Sequence, residues 1–187
     1  GRKGGRCKAG ICRISGGTNS GRNKFHRFGS FDTRGKIRGV RFDTGGKRNV
    51  VVGVTSPYGT YINKTVKLSS KANLYWLSPG GIHLGRGAGF VNVPGLNLST
   101  ATSLRFPGGV FRALHSSPAD LRRLQNDPLP GASGFKARRN LDQAADVSAI
   151  PGIQLEGIDI SIDQDLLIDA PAGRVAVKDS RLSVSSD

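Results

Sequence analysis

Methionine is absent from the 187 residues, acidic side chains are outnumbered 13 to 28 by Lys and Arg, and there are only one tryptophan, two cysteines and three histidines. Each scarcity excludes something. No run of about 18 apolar residues occurs, so no segment is a candidate membrane-spanning helix. With neither an initiator methionine nor an apolar h-region at its start, the chain is expected to be a processed or trimmed piece, and the strand-like pattern running into Ser185-Ser186-Asp187 suggests that a longer protein continued from there. Beyond the single Cys7/Cys12 pair, the three scattered histidines give no second pair at zinc-ligand spacing, so neither a metal nor a cofactor is expected. Aromatics supply only 6% of the residues against 27 glycines, which favours a turn-rich all-β chain over a helical bundle. The length suits a single domain, 1–187, with a core of its own.

The positive charge is unevenly placed. Residues 1 to 48 carry fourteen Lys and Arg against Asp32 and Asp43, whereas residues 151 to 187 carry three bases against seven acids. The first reading of the basic end is a solvated face. The alternative is a module that binds nucleic acid or an acidic polysaccharide, and Phe25, Phe28 and Phe31 interleaved with Arg22, Lys24, Arg27 and Arg34 keep it open. The spacing of these phenylalanines is equally that of an inward-packing corner, and nucleic acid is not the partner expected first.

One physical idea repeats from Ala72 to Gly109. Apolar segments of about five residues, ANLYWL, GIHLG, GFVNV, LNLST and TSLRF, are separated by SPGG, GRGAG, VPG and FPGG, which are rich in residues that preset a turn or permit positive φ. The pitch is too short for a crossover helix, and no two-residue hairpin signal such as Asn-Gly is present. A coil of short strands stacked turn upon turn satisfies both constraints. About three strands per coil are expected, with every strand but the terminal ones paired on both edges.

Within that stretch, Asn73-Leu74-Tyr75-Trp76-Leu77-Ser78-Pro79-Gly80-Gly81-Ile82, followed by Leu84-Gly85-Arg86-Gly87-Ala88, resembles the NLFLINPNGI-xFGxxA signature of the two-partner secretion domain. That domain is the N-terminal module of filamentous haemagglutinin-like exoproteins (the haemagglutination activity domain family). Upstream, Ile14-Ser15-Gly16-Gly17 and then Asn23-Lys24-Phe25-His26-Arg27-Phe28-Gly29-Ser30-Phe31 resemble the family's I-x-GG and NLFHSFxxF element, in the family's order and near its spacing. The resemblance covers roughly half of the chain. It implies a right-handed, single-stranded parallel β-helix with an N-terminal β cap, and it marks Asn23, Phe25, His26, Phe28, Asn73, Ser78, Pro79, Gly80 and Gly81 as secretion-motif positions. Two departures stand out: NPNG reads Ser78-Pro79-Gly80-Gly81, and the first Leu of NLFHSF is Lys24. Pro followed by Gly still encodes a tight turn, with positive φ expected at Gly80.

The remaining chain fits this frame. Residues 1–70 read as cap and first rungs, 71–114 as motif-bearing rungs, 115–150 as an excursion and 151–187 as C-terminal rungs. Gly1 to Gly10 is expected to be a loose tail. Cys7 and Cys12 read as a disulfide around a small loop, with a free thiol pair as the alternative in a reducing compartment. Ile37, Val40 and Phe42 are expected to face the core with bases between them facing water, and Asn49 to Thr55 to be buried on both faces, with Gly53 at a bend or close approach. Ser116-Ser117-Pro118-Ala119-Asp120 starts a helix of about two turns in the excursion, which Phe135 and Leu141 should tack down. Beyond Pro151, Ile158, Ile160 and Ile162 alternate with polar partners as a half-buried rung, and Ala170-Pro171-Ala172-Gly173 forms a corner.

Catalytic signals are sparse. Gly85-Arg86-Gly87-Ala88-Gly89 lacks the Lys-Ser/Thr of a P-loop, no G-x-S-x-G elbow is present, and alternation puts Asp159 and Asp163 on a solvated face. No catalytic residue is therefore named, although a β-helical carbohydrate-active enzyme, with Asp159, Asp163, Asp165 and Asp169 as its carboxylates, is carried as an alternative. The resemblance implies a secreted or cell-surface adhesin-like exoprotein, recognised in the periplasm by the periplasmic domains of an outer-membrane two-partner transporter and folding outside the cell; the surface ligand is unspecified.

Overall fold

The computed structural model describes residues 7–115, 117–136, 151–171 and 173–185. Its first turn comprises β1 (Gly10–Ile14), a short β2 (Thr18–Ser20) folded antiparallel onto β3 (Asn23–Phe28), and β4 (Phe31–Asp32). The second turn is β5 (Ile37–Phe42), β6 (Asn49–Val54) and β7 (Thr60–Ile62), and the third is β8 (Thr65–Leu68), β9 (Asn73–Leu77) and β10 (Ile82–Leu84). The fourth opens with β11 (Gly89–Val91) and β12 (Gly95–Ser99). The chain then leaves the coil as β13 (Ser103–Phe106), β14 (Gly109–Arg112), helix α1 (Pro118–Leu121), a 3-10 turn at Gly131–Gly134 and β15 (Phe135–Lys136). It returns at β16 (Ile153–Glu156), completes a fifth turn with β17 (Asp159–Ile162), β18 (Asp165–Asp169) and β19 (Val175–Lys178), and opens a sixth with β20 (Arg181–Val184).

Strands one turn apart pair in parallel and make three faces. β1, β5, β8 and β11, continued by the pair β17 and β20, form the first; β3, β6, β9, β12 and β18 the second; β4, β7, β10, β16 and β19 the third. The fold is a parallel β-solenoid of about six turns, as the periodicity predicts. Period-two alternation drives it: Val66 and Leu68, Ile82 and Leu84, and Ile158, Ile160 and Ile162 are all buried in the coil interior, while Asp159 and Ser161 are exposed.

The second face is covered on both sides. Val50, Val52, Leu74, Trp76, Leu96 and Leu98 point into the coil. Val51, Leu77 and Phe25 point outward, into a second core with Leu104, Phe106, Phe111, Leu121, Leu124 and Phe135 of the excursion. This is why every residue of β6 is buried, and why that strand reads as a continuous apolar run. A β-carbon at Gly53 would stand 3.0 Å from Ala113 Cα, so the close approach expected there is the docking of the excursion.

Three expectations are corrected. TSLRF and Val110 to Leu114 are not rungs: β13 and β14 form an antiparallel hairpin around Pro107-Gly108, and β15 adds to its other edge. The departure from the coil thus begins directly after β12. Residues alternating on a half-buried hairpin carry the same pattern as a rung, and Leu104, Phe106 and Phe111 bury against the outside of the second face instead of inside the coil. The phenylalanine corner also divides, because Phe31 and Phe28 pack in the coil while Phe25, on the opposite face of β3, stacks on Phe111 at 5.4 Å between ring centroids. Third, the helix has a single turn; Ser117 is its N-cap, accepting from Asp120 N, with Pro118 following as predicted. Leu141, the first six residues of the expected tail, and Ala172 in its corner lie outside the described residues.

Candidate functional site

The second-face strands β3, β6 and β9 each begin with asparagine, and parallel register sets Asn23 beside Asn49 and Asn49 beside Asn73. Their amides form a ladder: Asn49 Nδ2 donates to Asn23 Oδ1 at 2.8 Å, and Asn73 Nδ2 donates to Asn49 Oδ1 at 3.3 Å. Asn23 Nδ2 donates to the carbonyls of Leu124 and Asn126 at 2.7 and 2.8 Å, and Asn49 Nδ2 also reaches Asp127 Oδ1 at 2.9 Å. The ladder therefore clamps the excursion to the coil. It stops where Gly95 takes the next position, since a β-carbon there would sit 2.7 Å from Asn73 Oδ1.

Asn23 and Asn73, the two motif asparagines, are thus joined through Asn49, which the motif reading missed. Its trace in the sequence is an Asn heading every third apolar run, 26 and 24 residues apart, which is one turn of the coil. Asn49 is fully buried, and removing its amide leaves Asn23 Oδ1 without this donor and Asn73 Nδ2 without this acceptor. Asn49→Ala is expected to cost about 2 kcal/mol in urea unfolding, and Asn73→Ala less, because its amide is half-buried and terminal in the ladder.

The Ser78 turn lies at the corner between the second and third faces. Gly81 N donates to Ser78 O at 2.9 Å, closing the Ser78-Pro79-Gly80-Gly81 turn, and Gly59 N donates to Ser56 O at 3.0 Å in the Ser56-Pro57-Tyr58-Gly59 turn of the preceding coil. Gly173 N makes the same bond to Ala170 O at 3.0 Å, so Pro-containing corners recur up the coil. Positive φ falls on Gly81, at 114°, and not on Gly80 as expected. Gly80 is required by proximity: a β-carbon would overlap Ser56 O and lie 2.6 Å from Gly59 N and 2.7 Å from Pro57 O, all backbone atoms of the turn it stacks against. Gly80→Ala and Gly80→Asn should each lower stability by about 2 kcal/mol in thermal or urea melts. A positive-φ glycine would instead tolerate Asn better than Ala.

Ser78 does more than start a turn. Trp76 Nε1 donates to Thr60 Oγ1 at 2.9 Å, Thr60 Oγ1 donates to Ser78 Oγ at 2.9 Å, and Ser78 Oγ donates to Gly81 O at 2.8 Å. The relay fastens the tryptophan to the corner, and all its side chains are buried. Pro79 is half-buried on the rim of the same turn.

His26 and Lys24 point toward the first end of the coil and are buried. The His26 ring lies parallel to Phe28 at 5.8 Å and edge-on to Phe42 at 5.4 Å, and neither of its nitrogens has a hydrogen-bond partner. Gly17 crosses directly over it, since a β-carbon there would be 2.8 Å from His26 Cε1. Burial, with the positive charge of Lys24 adding to it, lowers the imidazole pKa from 6.5 to about 4. Cys7 and Cys12 form a disulfide beside this end, with Cα atoms 5.6 Å apart.

An open trough of about 750 Å3 runs along the third face beside Tyr58, Tyr61, His83 and Gln154. Its carboxylate, Asp32, is gripped by Arg34, whose Nη2 lies 2.8 Å from Oδ2, and this hydrogen bonding holds the carboxyl below its usual range. Arg34 also covers the Tyr61 ring at 4.2 Å, and His83 stacks on Tyr61 at 4.3 Å. Of the carboxylates weighed for glycoside chemistry, Asp159, Asp163 and Asp165 are exposed. Asp169 accepts from Ser99 Oγ at 2.9 Å, and burial raises its pKa. Among the described residues no group of three His, Cys, Asp or Glu is placed to hold a metal, and no helix is long and apolar enough to cross a membrane.

Fold and site together define a parallel β-solenoid whose motif residues bind its turns to one another and to a docked excursion. Against family models, curated proteins and solved structures alike, the chain finds no match.

Proposed function

We infer that this chain is the secretion domain of a two-partner exoprotein, exported through an outer-membrane barrel and acting as a template for β-helical folding at the cell surface. The observation that carries this reading is the Asn23-Asn49-Asn73 ladder. Two separated sequence elements that resemble the secretion signature meet in it as one hydrogen-bonded unit. An unfolded chain passing a barrel carries these amides as free donors and acceptors for a transporter, and folding outside withdraws them into the ladder. The stacking order supports the template role. β2 and Gly16-Gly17 close the first end, whereas Val175, Val177 and Val184, on strands of the last described turns, remain 45%, 55% and 44% exposed. A further turn laid on them would bury apolar surface at each step, so coiling outside the cell runs downhill without ATP. The protein carrying the domain would be an adhesin-like surface factor.

Co-expression of the chain behind a signal peptide, with and without an outer-membrane barrel of the two-partner type encoded beside it, tests the reading. Transporter-dependent appearance in the medium is expected, with Asn23→Ala and Asn73→Ala exported more slowly. Equal retention in the periplasm with and without the barrel would overturn it.

A further inference from the structure

The outward side of the first face carries a column of cations. Arg13 pairs in register with Arg41, and Arg41 with Lys67, on three adjacent parallel strands, so their side chains leave the same face one rung apart, about 4.8 Å. All three are exposed, and none of the ion pairs found among the described residues involves them. The nearest acid along β5, Asp43, is exposed and accepts from Gly45 N through Oδ1. A bulge, where Gly10 pairs with Ile37 but Ile11 with Gly39, leaves Arg38 as a further exposed cation at the margin. Like charges directly opposite on neighbouring strands repel, and a soluble coil has no structural need to stack three of them.

Beside the cations, the parallel column reads Ile11, Gly39, Thr65 and Gly89. Ile11 covers Gly39, which is buried with Ile11 Cδ1 3.3 Å from where a β-carbon would be, and beyond it the exposed Thr65 and the bare Gly89 leave a shelf low in side chains. The result is a shallow ledge parallel to the coil axis with a wall of positive charge along one side.

We propose that this face binds a linear acidic polysaccharide of the polyuronate class, lying along the coil axis over Ile11, Thr65 and Gly89 with its carboxylates against Arg13, Arg41 and Lys67. A polyuronate carries one carboxylate on each sugar, which matches one cation on each rung. Single-stranded nucleic acid is the poorer fit, because it takes stacking platforms as well as charge. Among the described residues the one large exposed aromatic, Tyr58, sits on a different corner. This site is independent of the secretion motif and stands whether or not the chain is exported.

The test uses the full chain, with polygalacturonate as probe, neutral dextran as blank and a single-stranded oligonucleotide as competitor, titrated across ionic strength. Saturable binding to polygalacturonate is expected, with a steep salt dependence. Arg13→Gln/Arg41→Gln/Lys67→Gln should lose at least tenfold in affinity and flatten the log–log salt slope by about three. Arg105→Gln/Arg122→Gln/Arg174→Gln, which removes the same charge from other surfaces, should change both far less. The Arg13/Arg41/Lys67 triple variant should melt no lower than the parent, since it relieves repulsion. Equal losses in the two triple variants, tighter binding of the oligonucleotide than of polygalacturonate, or no binding to polygalacturonate by the parent would each overturn the proposal.

Discussion

Acidification from pH 7 to pH 4 is expected to remove about 3 kcal/mol of unfolding free energy through one side chain, His26. The folded-state pKa is about 4 against 6.5 for an ordinary imidazole, so between those values the unfolded chain binds a proton that the folded chain refuses. Stability therefore falls as pH drops through 6.5, goes on falling more gently through 4, and is flat only once the folded imidazole is itself protonated below that, as far as this group is concerned. The direction is opposite to that of a histidine held by a carboxylate. It follows from a ring placed between Phe28 and Phe42 under Gly17, with both nitrogens unpartnered. His26→Leu should remove that slope, and it should leave stability at pH 7 unchanged or raised, because two buried polar atoms disappear. Urea midpoints at a series of pH values, followed through the fluorescence of the single tryptophan, measure both. Parallel pH profiles for the parent and His26→Leu would show that the imidazole is not shielded in this way. Asp32, whose carboxyl Arg34 holds below its usual range, contributes in the same sense only at lower pH, where it begins to protonate.

Much of the coil was legible because its physics is local. Alternation at Ile158, Ile160 and Ile162, and at Val66 and Leu68, marks strands with one wet face, and Pro and Gly mark the corners between them. The unbroken run of β6 signalled a strand covered on both sides. What covers it was not legible, since Leu104, Phe106 and Phe111 alternate as a rung would, and only pairing direction separates a hairpin from two turns of coil. Gly80 was placed in its turn for the wrong reason: the constraint is a backbone one coil away, which no local rule contains. The site divides along the same line. Resemblance picked out Asn23, Asn73 and Ser78, but their partners Asn49 and Thr60 become visible only once register is known. Likewise, the basic bias of the first 48 residues could be counted, yet the alignment of Arg13, Arg41 and Lys67 depends on how many residues each turn of the coil takes.

Trp76→Ala should be the most damaging single change in the coil, at about 4 kcal/mol. Trp76 is fully buried on β9 and meets Phe31 edge-on at 4.6 Å and Phe42 at 6.2 Å, so one side chain joins the second face to strands of the other two. Its truncation opens a cavity where the three faces converge, and neighbouring rungs can close it only by breaking parallel pairing. The same change removes the donor to Thr60 Oγ1 and so loosens the relay that ends at Gly81 O. Trp76→Phe separates the two effects, since it keeps most of the volume and loses the Nε1 donor, and about 1 kcal/mol is expected. With the fluorophore gone, far-ultraviolet circular dichroism in urea reports both variants. A cost for Trp76→Ala no greater than that for Trp76→Phe would mean that hydrogen bonding and not packing holds the centre of the coil. The expectation for Gly80 would then change with it, because a corner held by the relay rather than by tightly packed turns could yield to a β-carbon.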